Sequence, residues 1–127
     1  MLLNINDLLG KPYKLNGRGP AYYDCFGLVI EVEKRLGHHI KDVYAECKKG
    51  EKSKSRDVDF SSQQIGVKKV ATPSFGDIVA FFDTKERINH VGIFLKDNDV
   101  LHCNNDGVHI SKIESFTKKK EFYTWQK

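Results

Sequence analysis

The sequence has no apolar run long enough to cross a bilayer. Its longest apolar stretches, Ile78–Phe82 and Val91–Leu95, have the length of strands, whereas a membrane helix needs about 20 apolar residues in succession. The first residues, MLLNINDLLGKPYK, also lack the basic start of a secretory signal, and polar residues interrupt their apolar ones. The sequence therefore predicts neither a membrane span nor a signal peptide.

Cysteine is scarce and its spacing excludes two common frameworks. The three residues Cys25, Cys47 and Cys103 are an odd number and contain no C-x-x-C pair, so neither a disulfide framework nor a zinc ribbon is indicated. At least one thiol is expected to be free.

The net charge of the sequence is also small. Lysine and arginine number 21 against 17 aspartates and glutamates, a net charge of only +4. No platform of interleaved aromatic and basic residues accompanies this small excess, so nucleic acid is not an expected partner. With 127 residues, 39% of them hydrophobic, the chain has the size and composition of one folded unit. We expect a single domain over residues 1–127.

An amphipathic helix is predicted within Asp24–Leu36. Gly37 follows as a candidate C′ residue, and Glu31 and Arg35 form a favourable i, i+4 pair. The helix is expected to begin near Cys25. One stripe of the helix is formed by Cys25, Leu28, Val29, Val32 and Leu36.

After residue 75 the sequence takes on the pattern of strands separated by turn-type residues. The preceding segment, Lys48–Val70, is polar, and we expect it to be a long surface connection with at most one short helix. A helix followed by an antiparallel meander predicts an α+β domain whose sheet packs one face against the N-terminal helix. The predicted strands are Gly76–Phe82, His90–Leu95, Val100–Cys103 and Val108–Ile113.

Cys25 at a helix start is a candidate nucleophile. Unpaired N–H groups and the helix dipole stabilise negative charge there, so we expect a lowered thiol pKa and a thiolate. The alternative is a small apolar residue on the buried stripe. Gly27, a poor helix former, favours function, because it allows a close approach to the backbone beside Cys25.

Two histidines are predicted to meet on one face of the sheet. If Lys96–Asn98 forms a three-residue hairpin loop, Gly92 pairs with His102, and His90 becomes the diagonal neighbour of His102 at hydrogen-bonding reach. A two-residue loop would place them on opposite faces. A thiol, a histidine and a second polar residue that orients it are the parts of a cysteine nucleophile. The remaining histidines are expected at the surface: His38, His39 and His109.

Zinc binding by the same three side chains is an alternative. A structural zinc site normally has four ligands, and Cys25, His90 and His102 supply three. We therefore expect no metal and no cofactor.

Six segments together resemble the NlpC/P60 family of papain-like cysteine peptidases over nearly the whole chain. The opening GRGPAYYDCFGLV is most similar to phage-encoded cell-wall peptidases of that family. The resemblance implies a papain-like fold. The segments, in order, are GKPY, YDCFGLV, SSQQIG, GDIVAFF, HVGIFL and LHCNNDGVHISKI.

The resemblance also implies roles for individual residues. Cys25 is the expected nucleophile, His90 the general base and acid, and His102 the residue that orients His90. Tyr13 and Asp24 are expected to hold the free amino end of the substrate, although Asp24 can equally cap the helix. The chain departs from the family pattern at Leu15, Asn16 and Phe26, which bear on subsite shape and peptide preference. It also departs at Phe75, where the family often has proline.

The implied substrate is a peptidoglycan stem peptide, cut at the γ-D-glutamyl to diamino acid bond. An amidase, an endopeptidase for interpeptide bridges, and a phage tail or wall-binding component with little catalysis are alternatives on the same fold. The expected partners are peptidoglycan peptides and phage tail or delivery proteins. We expect synthesis in the cytoplasm and action on the cell wall after virion-borne, lytic or injected delivery.

Overall fold

The computed structural model describes residues 3–42, 64, 66–85 and 88–125. Within these ranges the chain forms one α-helix, six strands and a short 3-10 helix at Ile113–Ser115. None of the helical segments described is long and apolar enough to span a membrane. The elements are α1 (Cys25–Arg35), β1 (Val67–Val70), β2 (Ile78–Phe82), β3 (Ile88–Phe94), β4 (Asp99–Asn104), β5 (Gly107–Lys112) and β6 (Lys120–Trp125).

The six strands form one antiparallel sheet in the order β1-β6-β2-β3-β4-β5. Strands β2 to β5 are the predicted meander, and each pairs with the next one along the chain. The helix packs against β3 and β4 in the middle of this meander. The α+β fold class is confirmed.

Helix α1 begins and ends where the sequence predicts. Asp24 has extended backbone geometry and accepts a hydrogen bond from the Gly27 N–H at 2.7 Å, so it is the N-cap. At the other end Gly37 adopts φ +89°, and its N–H and that of His38 donate to the Lys34 and Glu33 carbonyls. This is a Schellman ending, which favours glycine because an L side chain is strained at positive φ.

The sheet carries a core on each face. Helix residues Leu28, Val29 and Val32 are fully buried against one face, which includes Val91 and Ile93. A smaller cluster covers the opposite face, and its buried members are Val79, Phe81 and Val100. Phe116, which follows the 3-10 helix, packs on that second cluster. The second face is therefore closed by the C-terminal part of the chain.

Two strands were not predicted. β1 lies at the end of the segment expected to be a surface connection, and β6 begins at Lys120, the last of three successive lysines. β6 pairs with β1 on one side and with β2 on the other, with Val67 opposite Trp125 and Ile78 opposite Tyr123. Strand β1 is VKKV, which has no period-2 pattern, so only its pairing with β6 makes it a strand. Of the rest of the expected connection the structure describes Gln64, which is buried and hydrogen-bonded to the backbone of Lys41, and Gly66. The lysine-rich segment 48–56 lies outside the described residues.

Candidate active site

Cys25 is the first residue of α1 and lies against β3. Its side chain is partly buried, and the backbone N–H of Val91 hydrogen-bonds its sulfur. Val91 is the neighbour of His90 in the chain, so the helix packs on the strand that carries the candidate base. The N–H of Cys25 has no intrahelical acceptor, because the first N–H groups of a helix are unpaired within it.

The expected thiolate is not what the structure favours. Burial first, and then the Asp24 carboxylate, raise the pKa of the Cys25 thiol to about 11. The backbone N–H groups of Val91 and Phe26 and the guanidinium of Arg18 act in the opposite direction but are outweighed. At neutral pH Cys25 is therefore a protonated thiol, and the predicted lowering of its pKa is wrong.

The predicted histidine pair is present on the second face of the sheet. Nε2 of His90 lies 2.9 Å from Nδ1 of His102, and the rings meet edge to face with centroids 5.1 Å apart. The register is the predicted one, with Gly92 opposite His102. The loop Lys96–Asn98 has three residues, and its second and third residues adopt positive φ. The alternative two-residue loop is excluded.

Both histidines are neutral at physiological pH. Burial first, and then the charges of Lys118 and His109, lower the pKa of His90 to about 4. Burial also lowers the pKa of His102 to about 3, with His90 and His109 contributing. The thiol and the two imidazoles are therefore all uncharged at neutral pH.

Strand β5 and the segment after it supply three residues around His102 that sequence reasoning missed. Ser111 Oγ lies 2.9 Å from His102 Nε2. The ring of His109 lies 4.3 Å from that of His102, and the ring of Phe116 lies 5.0 Å away, edge to face. The NNDG turn and period-2 alternation place His109 and Ser111 on one face of β5, which was the available signal.

The prediction of a surface position holds for one of the three remaining histidines. His39 is exposed. His109 is half-buried, pairs with His102 across the strands, and its Nδ1 lies 2.9 Å from the Gly107 carbonyl oxygen. His38 is also half-buried, stacked on Trp125 at 4.5 Å with Nδ1 2.8 Å from a Glu33 carboxylate oxygen.

Asp24 is held on both carboxylate oxygens. Oδ1 accepts from the Gly27 N–H and from Arg18 Nη1, each at 2.7 Å, and Oδ2 accepts from the Asn16 N–H at 3.1 Å. Arg18 also forms a two-pronged ion pair with Asp42, at 2.7 and 3.0 Å. The N-cap role of Asp24 is confirmed, its substrate role stays a prediction, and Arg18 is a neighbour that the sequence did not single out.

Tyr13 lies near the helix N-terminus with its side chain partly exposed. It bridges to Tyr23, whose carbonyl oxygen accepts a hydrogen bond from Cys103 Sγ at 3.2 Å. Burial raises the Tyr13 pKa, and the charges of Asp24 and Cys25 raise it further.

Cys103 is buried and serves packing, and Cys47 lies outside the described residues. Among the residues that the structure describes, no three His, Cys, Asp or Glu side chains form a metal-ligand group.

Comparison with known proteins gives a family and a fold. The model of the NlpC/P60 family matches residues 10–126. The chain is 29% identical over 108 residues to a protein of Bacillus subtilis (strain 168) named "Probable peptidoglycan endopeptidase LytE", a match that covers 85% of this chain and 28% of that protein. It is 30% identical over 105 residues to "Probable endopeptidase p60" of Listeria grayi, covering 83% of this chain and 18% of that protein. The chain thus spans less than a third of the length of these curated relatives.

Two solved structures show the same fold. The NlpC/p60 domain of the peptidoglycan hydrolase SagA superposes with a TM-score of 0.58 at 22% identity, covering 88% of this chain and 86% of that one. NlpC2 from Trichomonas vaginalis superposes with a TM-score of 0.67 at 21% identity, covering 93% of this chain and 44% of that one. The predicted papain-like fold of the NlpC type is confirmed.

Proposed function

Because the chain belongs to the NlpC/P60 family, we propose that it is a cysteine peptidase that hydrolyses the stem peptides of peptidoglycan. The names of the curated relatives, an endopeptidase and a peptidoglycan endopeptidase, support this reaction class. The proposed bond is the γ-D-glutamyl to diamino acid bond. Cys25, His90 and His102 are the proposed triad.

The observation that carries the proposal is the hydrogen bond between His90 Nε2 and His102 Nδ1. It occupies one ring nitrogen of His90 and leaves Nδ1 as the nitrogen that can take a proton from Cys25. A neutral His90 is a competent base, and a polar neighbour that fixes its ring is the remaining part of a cysteine nucleophile.

In the proposed reaction the thiol and the imidazole begin uncharged. His90 Nδ1 accepts the Cys25 proton as the sulfur bonds to the carbonyl carbon of the scissile amide. The backbone N–H of Cys25 stabilises the oxyanion. The His90 imidazolium then donates its proton to the leaving amine, and the C–N bond breaks to give a thioester.

The second half of the reaction regenerates the enzyme. His90, neutral again, takes a proton from a water molecule whose oxygen attacks the thioester carbon. The C–S bond breaks, the carboxylic acid product leaves, and the proton returns from His90 to the Cys25 sulfur. Because the pKa of Cys25 is high, the returning proton is held tightly and the resting thiol is restored.

Substrate recognition is proposed to involve Tyr13 and Asp24. The partly exposed hydroxyl of Tyr13 and the negative charge of Asp24 both lie near Cys25, so an ammonium group of the substrate would be attracted there. Arg18 shares the charge of Asp24, which weakens this attraction. Delivery to the cell wall by a phage virion, by lysis or by injection stays a proposal, and the genes adjacent to this one would test it.

The deciding experiment is mass spectrometry of defined muropeptides incubated with the protein. The wild type should release fragments cut after γ-D-glutamate, and Cys25→Ala should release none. Cys103→Ser is the matched cysteine control and should cleave as the wild type does, because a hydroxyl can still donate to the Tyr23 carbonyl. His102→Ala should keep a weak rate, since only the orientation of His90 is lost.

Other outcomes lead to different conclusions. Cleavage by Cys25→Ala would overturn the triad. Cysteine-dependent cleavage between glycan and L-alanine, or in interpeptide bridges, would keep the triad and replace the proposed bond. No cleavage of any muropeptide by the wild type would favour a wall-binding component with little catalysis.

A further inference from the structure

Ser111 extends the histidine pair by one more hydrogen bond. Its Oγ lies 2.9 Å from Nε2 of His102, while Nδ1 of the same ring is bonded to His90. Ser111 faces Val100 in the register of β4 and β5, which makes it the diagonal neighbour of His102. The row His90, His102, Ser111 therefore runs across the three strands β3, β4 and β5.

The tautomers of His90 and His102, that is, which ring nitrogen of each carries hydrogen, decide whether His90 can act as a base. For Nδ1 of His90 to accept the thiol proton, the hydrogen of His90 must lie on Nε2 and be donated to His102 Nδ1. A neutral histidine carries one hydrogen, so His102 must then hold its own on Nε2, where the available acceptor is Ser111 Oγ. With the opposite order, Nδ1 of His90 would already carry a hydrogen and could not take another.

We propose that Ser111 is a positioning residue that accepts the Nε2 hydrogen of His102 and so holds both histidines in the reactive tautomer. The inference rests on the proposed function, because it concerns the same nucleophile. An acceptor at Ser111 matters most once His90 is an imidazolium. Nδ1 of His102 then accepts a hydrogen bond from His90, so the hydrogen of His102 must lie on Nε2 and be donated to Ser111 Oγ.

The surroundings of His102 make Ser111 hard to replace. The His102 side chain is 3% exposed, and the rings of His109 and Phe116 pack on it. With the hydroxyl removed, the Nε2 hydrogen would face these rings without an acceptor, which is unfavourable for a buried polar group. The low pKa of His102 agrees with a ring that works in its neutral form.

The test is the tautomer of each histidine in full-length protein labelled with ¹⁵N-histidine, read from nitrogen chemical shifts and two-bond couplings. In the wild type, His90 and His102 should both carry hydrogen on Nε2. Ser111→Ala should shift His102 toward the Nδ1 form or a mixture, and Ser111→Thr should restore the wild-type pattern because it keeps the hydroxyl. Ser115→Ala is the matched control: it also loses a serine hydrogen bond, to the Lys112 carbonyl, but from an exposed residue that is not part of the row.

A kinetic measurement follows on the muropeptide that the wild type cleaves. Ser111→Ala should lower kcat about tenfold with KM unchanged, and Ser111→Thr and Ser115→Ala should keep the wild-type kcat. An Nδ1 hydrogen on His102 in the wild type, or an unchanged tautomer in Ser111→Ala, would overturn the inference and leave the proposed function standing. The expected tautomers in a wild type that cleaves no muropeptide would overturn the proposed function and, with it, the catalytic purpose of Ser111.

Discussion

Arg18 and Asp24 form an ion pair at the N-terminus of the helix that begins with Cys25. Arg18 Nη1 lies 2.7 Å from Asp24 Oδ1, the same oxygen that accepts the capping hydrogen bond from the Gly27 N–H. Asp24 is 9% exposed. The pair therefore places a nearly buried carboxylate and its counter-charge beside the candidate nucleophile. The carboxylate raises the thiol pKa and the guanidinium lowers it, so this contact bears on both stability and reactivity.

Removing Arg18 should destabilise the protein and make the thiol less acidic. Arg18→Met leaves Asp24 with no counter-charge, and we expect the free energy of unfolding to fall by about 1–3 kcal/mol. Urea-induced unfolding measures this loss. Lys69→Met is the matched control, since it breaks an exposed pair with Glu121 and should lose less than about 1 kcal/mol. Equal losses in the two variants would contradict the importance of the buried pair.

The reactivity of Cys25 toward an alkylating agent should be low below neutral pH and rise steeply in alkali. With a pKa of about 11, about one molecule in 1,000 holds a thiolate at pH 8, far fewer than for an ordinary cysteine. Iodoacetamide labelling followed by peptide mass spectrometry reports the rate at Cys25, with a short cysteine peptide as the reference. Faster labelling of Cys25 than of the peptide at pH 6 would contradict the high pKa and show that Cys25 is a thiolate, as its place at the helix start predicts.

Acid should destabilise the protein through its buried histidines. The pKa values of His90 and His102 are lower in the folded protein than the 6.5 of a free histidine, so the unfolded chain binds protons first as the pH falls. Their contribution is complete above pH 6.5 and is lost toward pH 4. Between pH 7 and 5, wild type should lose about 2 kcal/mol more than His102→Gln.

Urea unfolding at a series of pH values checks this, with His39→Gln as the control. His39 is exposed, so this variant should follow the wild-type curve. Parallel curves for the wild type and His102→Gln would show that His102 does not titrate differently in the two states.

Gly27→Ala should destabilise a helix that alanine normally favours. An added Cβ would overlap the carbonyl oxygen of Gly17, which is backbone and cannot move aside. We expect a loss of about 2–4 kcal/mol, against the gain of about 1 kcal/mol that alanine brings at an ordinary helix site. Lys34→Ala, at an exposed position of the same helix, is the control for propensity in urea unfolding. A stabilised Gly27→Ala would contradict the close approach.

The close approach at Gly27 shows how far local reasoning reached. The glycine predicts that something lies against the backbone beside Cys25, and the structure identifies it as the chain's own Gly17 carbonyl. The helix bounds, the three-residue loop and the pairing of Gly92 with His102 also followed from the sequence, because caps, turns and strand alternation involve residues near one another in the chain.

Strands β1 and β6 were beyond such reasoning. Their pairing joins Val67 to Trp125, residues separated by most of the C-terminal half of the chain. VKKV has no pattern that predicts a strand. It forms strand β1 because its backbone pairs with that of β6. Ser111 was missed for a related reason, since its role needs the register of β5 against β4 as well as that of β4 against β3.

The sequence by itself determined the helix carrying Cys25, the meander and the shared face of His90 and His102, because each depends on periodicity and turn chemistry over a few residues. Only the tertiary structure decided the charge state of the site. The helix start favours a thiolate, but packing against β3 partly buries Cys25. Burial and the Asp24 carboxylate together outweigh the backbone N–H groups and the Arg18 guanidinium that favour the anion. Burial comes from contacts between distant parts of the chain, and it leaves the thiol and both histidines neutral.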